Sequence, residues 1–223
     1  DITSSVSANT TAGFSIVSYT GDADNTSSVG HGLTTTPGMI ILKALTGTQN
    51  WIVWHKDLTA TTAYSMYLNT TTAQLNNVSY FYDAAPNATT FHPGDGGASN
   101  GSGTAYIAYC FESIEGYSKM GTFAGNGLAD GTFIYTGFKP AYLLLKKSSA
   151  TASWYILDNK RDTYNQVVRD LQANDAAVEA TSANFLDFVS NGFKMRTSGG
   201  AVNSGTLVYA AFAESPFKYS NAR

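Results

Sequence analysis

The chain has 223 residues, 43% hydrophobic and 13% aromatic, a composition that supports a packed core and excludes intrinsic disorder. Only 13% of residues are charged, the net charge is -3 and there is no Lys/Arg run, which argues against a nucleic-acid groove. No apolar stretch approaches the roughly 20 residues of a membrane-spanning helix.

Residues 1–12 read as an N-terminal extension. Asp1-Ile2-Thr3-Ser4-Ser5 lacks the basic start and apolar run of a secretory signal. Either a leader has been removed or release follows another route, such as lysis of a virion's host. Phe14-Ser15-Ile16-Val17-Ser18-Tyr19 is β-branched and aromatic with partial alternation, and Thr20-Gly21-Asp22 closes it: a strand. Met39 to Leu42 is a continuous apolar run after Pro37-Gly38, the pattern of a strand buried on both faces. Trp51-Ile52-Val53-Trp54-His55 follows after the polar turn Thr46 to Asn50, completing a hairpin. Tyr64 to Leu68 is the next strand. Gly103 to Ser113, entered from the glycine-rich loop Gly94 to Gly103, is expected to be the longest.

The rest of the chain repeats this series. Gly13-Phe14-Ser15, Pro37 to Lys43 and Trp51 recur as Gly116-Tyr117-Ser118, Pro140 to Lys146 and Trp154, all offset by 103 residues. Phe91, Gly103-Thr104, Glu112-Ser113 and Tyr117-Ser118 recur as Phe193, Gly205-Thr206, Glu214-Ser215 and Tyr219-Ser220, offset by 102. Such register indicates an internal duplication. One segment is ambiguous: Tyr164, Val167, Val168 and Leu171 have helical spacing, yet Val167, Arg169 and Leu171 fall on Tyr64, Met66 and Leu68, so a strand is preferred.

The expected fold is therefore all-β, an antiparallel β-sandwich, jelly-roll-like or concanavalin-like, built from two pseudo-symmetric repeats of about 100 residues. Repeat 13–115 runs into repeat 116–220 without a Pro/Ser linker, so one domain over 13–223 is favoured over two tandem small β domains.

The pieces Gly30-His31-Gly32-Leu33, Met39-Ile40-Ile41, Asn50 to Leu58, Trp154 to Asp158, Ser190 to Arg196 and Tyr209 to Glu214 carry a resemblance. They look like a repeat-containing domain of tail-fibre and other virion proteins of tailed bacteriophages, many of them marine. The similarity runs from about Thr11 to Ser220. It implies an all-β adhesive or structural module, usually part of a longer chain, at the surface of a virion. It transfers no catalytic or ligand residue.

The search for chemistry points away from catalysis. Cys110 is the only cysteine, which rules out an intrachain disulfide, and its apolar run suits a buried small hydrophobe. His31, His55 and His92 are far apart without zinc-site spacing, and each is expected at the surface or in a turn. Glycoside hydrolysis needs two carboxylates about 5–10 Å apart across one cleft. Glu112 and Glu214 are repeat equivalents, which suits structure better than catalysis. Asp22-Ala23-Asp24-Asn25 is the nearest approach to a cation loop and departs from the calcium pattern. No Gly-x-Ser-x-Gly elbow sits between a strand and a helix. No cofactor is expected.

Aromatic residues are the remaining signal. Trp51 and Trp154 are repeat equivalents and expected in the core. Trp54 and His55 differ from their counterparts Leu157 and Asp158, and Tyr80-Phe81-Tyr82 has none. Sugars are bound by aromatic faces together with polar hydrogen-bonding groups. Trp54, His55, Tyr80, Tyr82, Asp83 and Asn87 are therefore the candidate ligand-binding residues, with the filling of a larger apolar gap as the competing role. The expected function is a non-enzymatic virion module, in a tail fibre or receptor-binding appendage, contacting a host-surface glycan or protein. The alternatives are a capsid-decorating or fibre-spacer domain and a surface-polysaccharide depolymerase. Expected partners are other virion proteins or copies of the chain itself, a homotrimer among them; nucleic acid and membrane insertion are not expected.

Overall fold

The computed structural model describes residues 1–60, 62–82 and 84–215. Among these there is no helix, and every strand pairing is antiparallel. The chain divides into two compact units, one of Asp1–Asn69 with Gln74–Ser113, the other of Thr70–Ala73 with the chain from Ile114 onward.

The first unit holds β1 (Ser4–Asn9), β2 (Phe14–Thr20), β3 (Val29–Gly30), β4 (Met39–Ala44), β5 (Ile52–His55), β6 (Tyr64–Tyr67), β7 (Leu75–Asn76), β8 (Thr90–Phe91) and β9 (Ala105–Phe111). Its main sheet has the order β1-β2-β9-β4-β5-β6-β7, and β3 pairs with β8. Alternate residues of β2, Val17 and Tyr19, turn inward and meet Leu42, Tyr106, Ala108 and Cys110 in one hydrophobic cluster. The hairpin of β4 and β5 is as expected, with Ile40 opposite Trp54 and Leu42 opposite Ile52. The run Met39 to Leu42, expected to be buried on both faces, is so except at Ile41, which is half-buried, whereas all four residues of β5 are buried.

The expected extension 1–12 contains a strand. β1 pairs with β2 over six residues, from Ser4 opposite Tyr19 to Asn9 opposite Phe14. Ile2 then bridges Val29 and Ser4 Oγ donates to the Gly30 carbonyl at 3.0 Å, fastening β1 to β3.

The second unit holds β10 (Ser118–Asn126), β11 (Phe133–Tyr135), β12 (Pro140–Lys147), β13 (Trp154–Asp158), β14 (Val167–Gln172), β15 (Ala180–Val189), β16 (Gly192–Met195) and β17 (Ser204–Ala213). They form one sheet in the order β10-β17-β12-β13-β14-β15-β16-β11. The core is a separate cluster that includes Phe123, Leu143, Leu145, Leu157, Phe193, Leu207 and Tyr209. The ambiguous segment is a strand, β14. The longest strands are β15 and β17 at 10 residues each, whereas β9 has 7. β15 is long because it pairs with both β14 and β16.

The orders β2-β9-β4-β5-β6-β7 and β10-β17-β12-β13-β14-β15 follow the same path through the chain, and the pair β3 and β8 matches β11 and β16. Details recur with them. A buried asparagine, Asn100 or Asn203, gives its side-chain amide to three acceptors on neighbouring loops. Trp51 N donates to Asn69 Oδ1 at 3.0 Å, and Trp154 N to Asn174 Oδ1 at 2.7 Å. Trp154 is buried and Trp51 only half-buried.

Candidate functional site

The predicted ligand residues do not assemble into one surface. Trp54 is 1% exposed on the interior strand β5, its ring tilted against Phe81 at 6.4 Å. His55, also 1% exposed, accepts a hydrogen bond from Asp57 N at Nδ1 (3.2 Å). Neither offers a face to solvent; both fill the interior, the competing role for half-specific aromatics. Tyr80 is half-buried, accepts a hydrogen bond from the Tyr67 hydroxyl at 3.1 Å, and meets that ring edge-on at 5.9 Å. Burial and this neighbour push the Tyr67 phenol up to about 12. Tyr82 is half-buried and anchored by its backbone N on the His92 carbonyl. Asn87 is exposed, but its Oδ1 accepts from the backbone N of Thr89 and Thr90, closing a local turn. Asp83 lies outside the described residues.

The other chemical groups are also engaged in structure. His31, expected at the surface or in a turn, is fully buried. Leu33 N donates to its Nδ1, which leaves Nε2–H to donate to the Asn87 carbonyl at 3.1 Å. Burial lowers its pKa, against the opposing pull of that hydrogen bond and of Glu112. Glu112, 2% exposed, accepts from Thr35 N at 2.7 Å. Asp22 accepts from Asp24 N, Asn100 Nδ2 and Ser27 Oγ, and Asp24 from Thr26, so these carboxylates staple a turn. The same bonds, Ser27 first for Asp22 and Thr26 for Asp24, lower both pKa values. No group of three His, Cys, Asp or Glu able to hold a metal occurs among the described residues. Cys110 is buried, and burial pushes its thiol up to about 12.

What sequence reasoning missed is a cleft of about 330 Å³ in the first unit, lined by Thr3, Ser4, Ser5, Ser18, Tyr19, Thr20, Leu45, Ala105 and Tyr106. Strand register builds it. Ser5 lies opposite Ser18, and Thr20 opposite Ala105. Leu45, just beyond β4, is held there by donating its N to the Ala105 carbonyl at 2.8 Å. Thr3, just before β1, and Ser5 within it lie two residues apart on one side of the extended chain, as Ser18 and Thr20 do of β2, so four hydroxyls look out together. None of the four makes a hydrogen bond to another described residue. The two tyrosines are spoken for. Their rings stack at 5.1 Å, Tyr106 Oη donates to the Gly97 carbonyl at 2.7 Å, and Tyr19 Oη donates to the Ser99 carbonyl. Burial raises both phenols. The available signal was the polar alternation of Ser18 and Thr20. The Ser-rich β1 gave none.

Charge is distributed unevenly. Residues 1–113 contain two lysines, no arginine and seven carboxylates. The second unit carries ion pairs, among them Arg161 with Asp158 and Glu179, Lys194 with Asp130 and Arg196 with Asp187. Lys146 is fully buried and donates to the carbonyls of Ala152 (2.6 Å) and Thr71 (3.0 Å), with burial lowering its pKa to about 8.

No curated protein and no solved structure matches the chain. The profile of a family described as a domain of unknown function, DUF7483, matches residues 1–216. With nearly the whole sequence covered, the chain belongs to the DUF7483 family.

Proposed function

We infer that the chain is a non-enzymatic module of a bacteriophage virion, in a tail fibre or similar receptor-binding appendage, which contacts a glycan or protein of the host surface. The carrying observation is the uncharged outward side of β1 and β2, where five of the six β1 residues are exposed and four hydroxyls are free. Such a surface carries hydrogen-bonding capacity without the charge that draws nucleic acid. The phage setting rests on the sequence resemblance alone. The common strand order supports a duplicated unit. The two hydrophobic clusters, each drawn from one unit, favour two tandem small β domains over the single sandwich. Purified domain, fluorescently labelled, is expected to adsorb to host cells and to compete with phage adsorption. Absence of adsorption to any susceptible host would defeat this reading.

A second reading, a capsid-decorating or fibre-spacer domain bound to copies of itself or to other virion proteins, is favoured by the repetition of one architecture. Copy number in the particle separates the two: a few copies at a tail tip mark recognition, hundreds on the shell mark decoration. A depolymerase would release new reducing ends from host polysaccharide.

A further inference from the structure

The geometry points to the cleft between β1, β2, β9 and the start of the loop after β4 as a binding site for one neutral sugar residue. This rests on the surface-contact reading only for the source of the sugar. The chemistry of the walls carries it.

A pyranose presents hydroxyls that both donate and accept, with C–H patches between them. Thr3, Ser5, Ser18 and Thr20 supply four hydroxyls of the same dual character, none engaged with another described residue. Ser5 and Ser18 are directly opposed across β1 and β2, which sets their side chains about 5 Å apart, within reach of adjacent groups on one ring. The apolar component comes from Ala105 and from Leu45, which is 58% exposed beside the hydroxyls. A Leu left this open at a cleft mouth is suited to a C–H face. The volume of about 330 Å³ lies at the lower end of ligand sites, which run from about 300 to 1,000 Å³.

Charge selects against acidic sugars. No residue lining the cleft is ionisable apart from the two buried tyrosines, whose hydroxyls are committed elsewhere. The nearest lysine along the chain, Lys43, has its Nζ on the Gln49 carbonyl at 2.5 Å. The site should also occur once per chain. Among the described residues β10, which occupies the place of β2 in its own sheet, stands at the sheet edge with β17 as its one partner strand and has no counterpart of the wall that β1 supplies.

The test is an NMR titration of the full chain with methyl glycosides of glucose, galactose and mannose and with N-acetylglucosamine, and with N-acetylneuraminic acid as the acidic comparison. At least one neutral sugar should bind with a millimolar constant at one site, shifting the amides of Thr3, Ser5, Ser18, Thr20 and Ala105 together. The double variant Ser18→Val, Thr20→Val keeps β-propensity and should weaken binding at least tenfold, while Thr122→Val on β10 leaves it unchanged. Ala105→Leu, which fills the cleft, gives an independent block. Shifts mapping elsewhere, undiminished binding by both cleft variants, preference for the acidic sugar, or no response to any sugar would each overturn the assignment. Host adsorption is scored separately. If it persists in the double variant and no sugar binds, the cleft assignment falls and the contact reading stands. If sugar binds the cleft but no host adsorbs the domain, the contact reading falls instead.

Discussion

Asn100 and Asp22 exchange two hydrogen bonds: Asp22 N donates to Asn100 Oδ1 at 3.0 Å, and Asn100 Nδ2 returns one to Asp22 Oδ1 at 2.9 Å. The same amide also serves the carbonyls of Asp24 and Gly94. Asn203 holds Asn126, Leu128 and Thr197 in the corresponding way. Removing one partner of a buried bond costs about 1–3 kcal/mol for the group left unpaired. Asn100→Ala and Asn203→Ala should each lower stability by at least that much. Urea denaturation followed by tryptophan fluorescence measures it, and an unchanged midpoint would contradict the bond pattern.

Lys146 should make stability rise with pH. Its folded pKa of about 8 lies below the ordinary 10.5, so between these values the unfolded chain binds more protons than the folded one. The destabilisation is full below about pH 8 and fades as pH approaches 10.5. Lys146→Met should remove this slope. Comparing the two proteins at each pH cancels the tyrosine and thiol ionisations they share. A parallel pH profile for both would show that Lys146 is solvated in the folded state.

Trp54→Ala should destabilise by about 3–5 kcal/mol, the range for deleting a large buried aromatic. If the ring fills the interior, cell adsorption per folded molecule stays unchanged. Loss of adsorption at full stability would restore Trp54 as a contact residue.

Ala23 has φ of 61° where the matching turn residue Gly127 has 70°. Both donate their backbone N to the carbonyl of the buried asparagine. A Cβ is disfavoured in this region by roughly 1–2 kcal/mol, partly offset by the freedom glycine gains on unfolding. Ala23→Gly should therefore stabilise the chain by up to about 1 kcal/mol, read as a rise in Tm. A fall would mean that the turn tolerates the methyl without strain.

Much of the strand pattern was legible because burial leaves a period in the sequence. Met39 to Ala44 and Trp51 to His55 could be read from apolar runs flanked by turn residues, and β14 from its alignment with β6. β1 was not legible: Ser-Ser-Val-Ser-Ala-Asn has one large apolar residue, and its pairing is set by β2. The cleft depended on that strand and was hidden with it. Trp54 was misplaced for a different reason. A residue that differs between two repeats looks like a site of special function, but the interior of one copy can differ simply to fill its own space, as Trp54 does with Phe81.

The aromatic positions also keep a different count from the sequence. Tyr19 meets Phe91 edge-on at 6.1 Å, and Phe123 meets Phe193 in the same way at 6.0 Å. Tyr106, Ala108 and Cys110 face the core from β9, whereas Leu207, Tyr209 and Ala211 do so from β17. An offset of 102 would have named Val208, Ala210 and Phe212. The pairing of β12 with β17 shifts between Pro140 and Tyr142, where one residue is accommodated as a bulge. A chimera that transplanted β17 into the place of β9 by matching Gly-Thr to Gly-Thr would turn every side chain to the wrong face. The graft should succeed only when cut one residue out of step, with Leu207 set where Tyr106 stood, since Tyr106 lies opposite Tyr19 and Ala44 as Leu207 lies opposite Phe123 and Lys147.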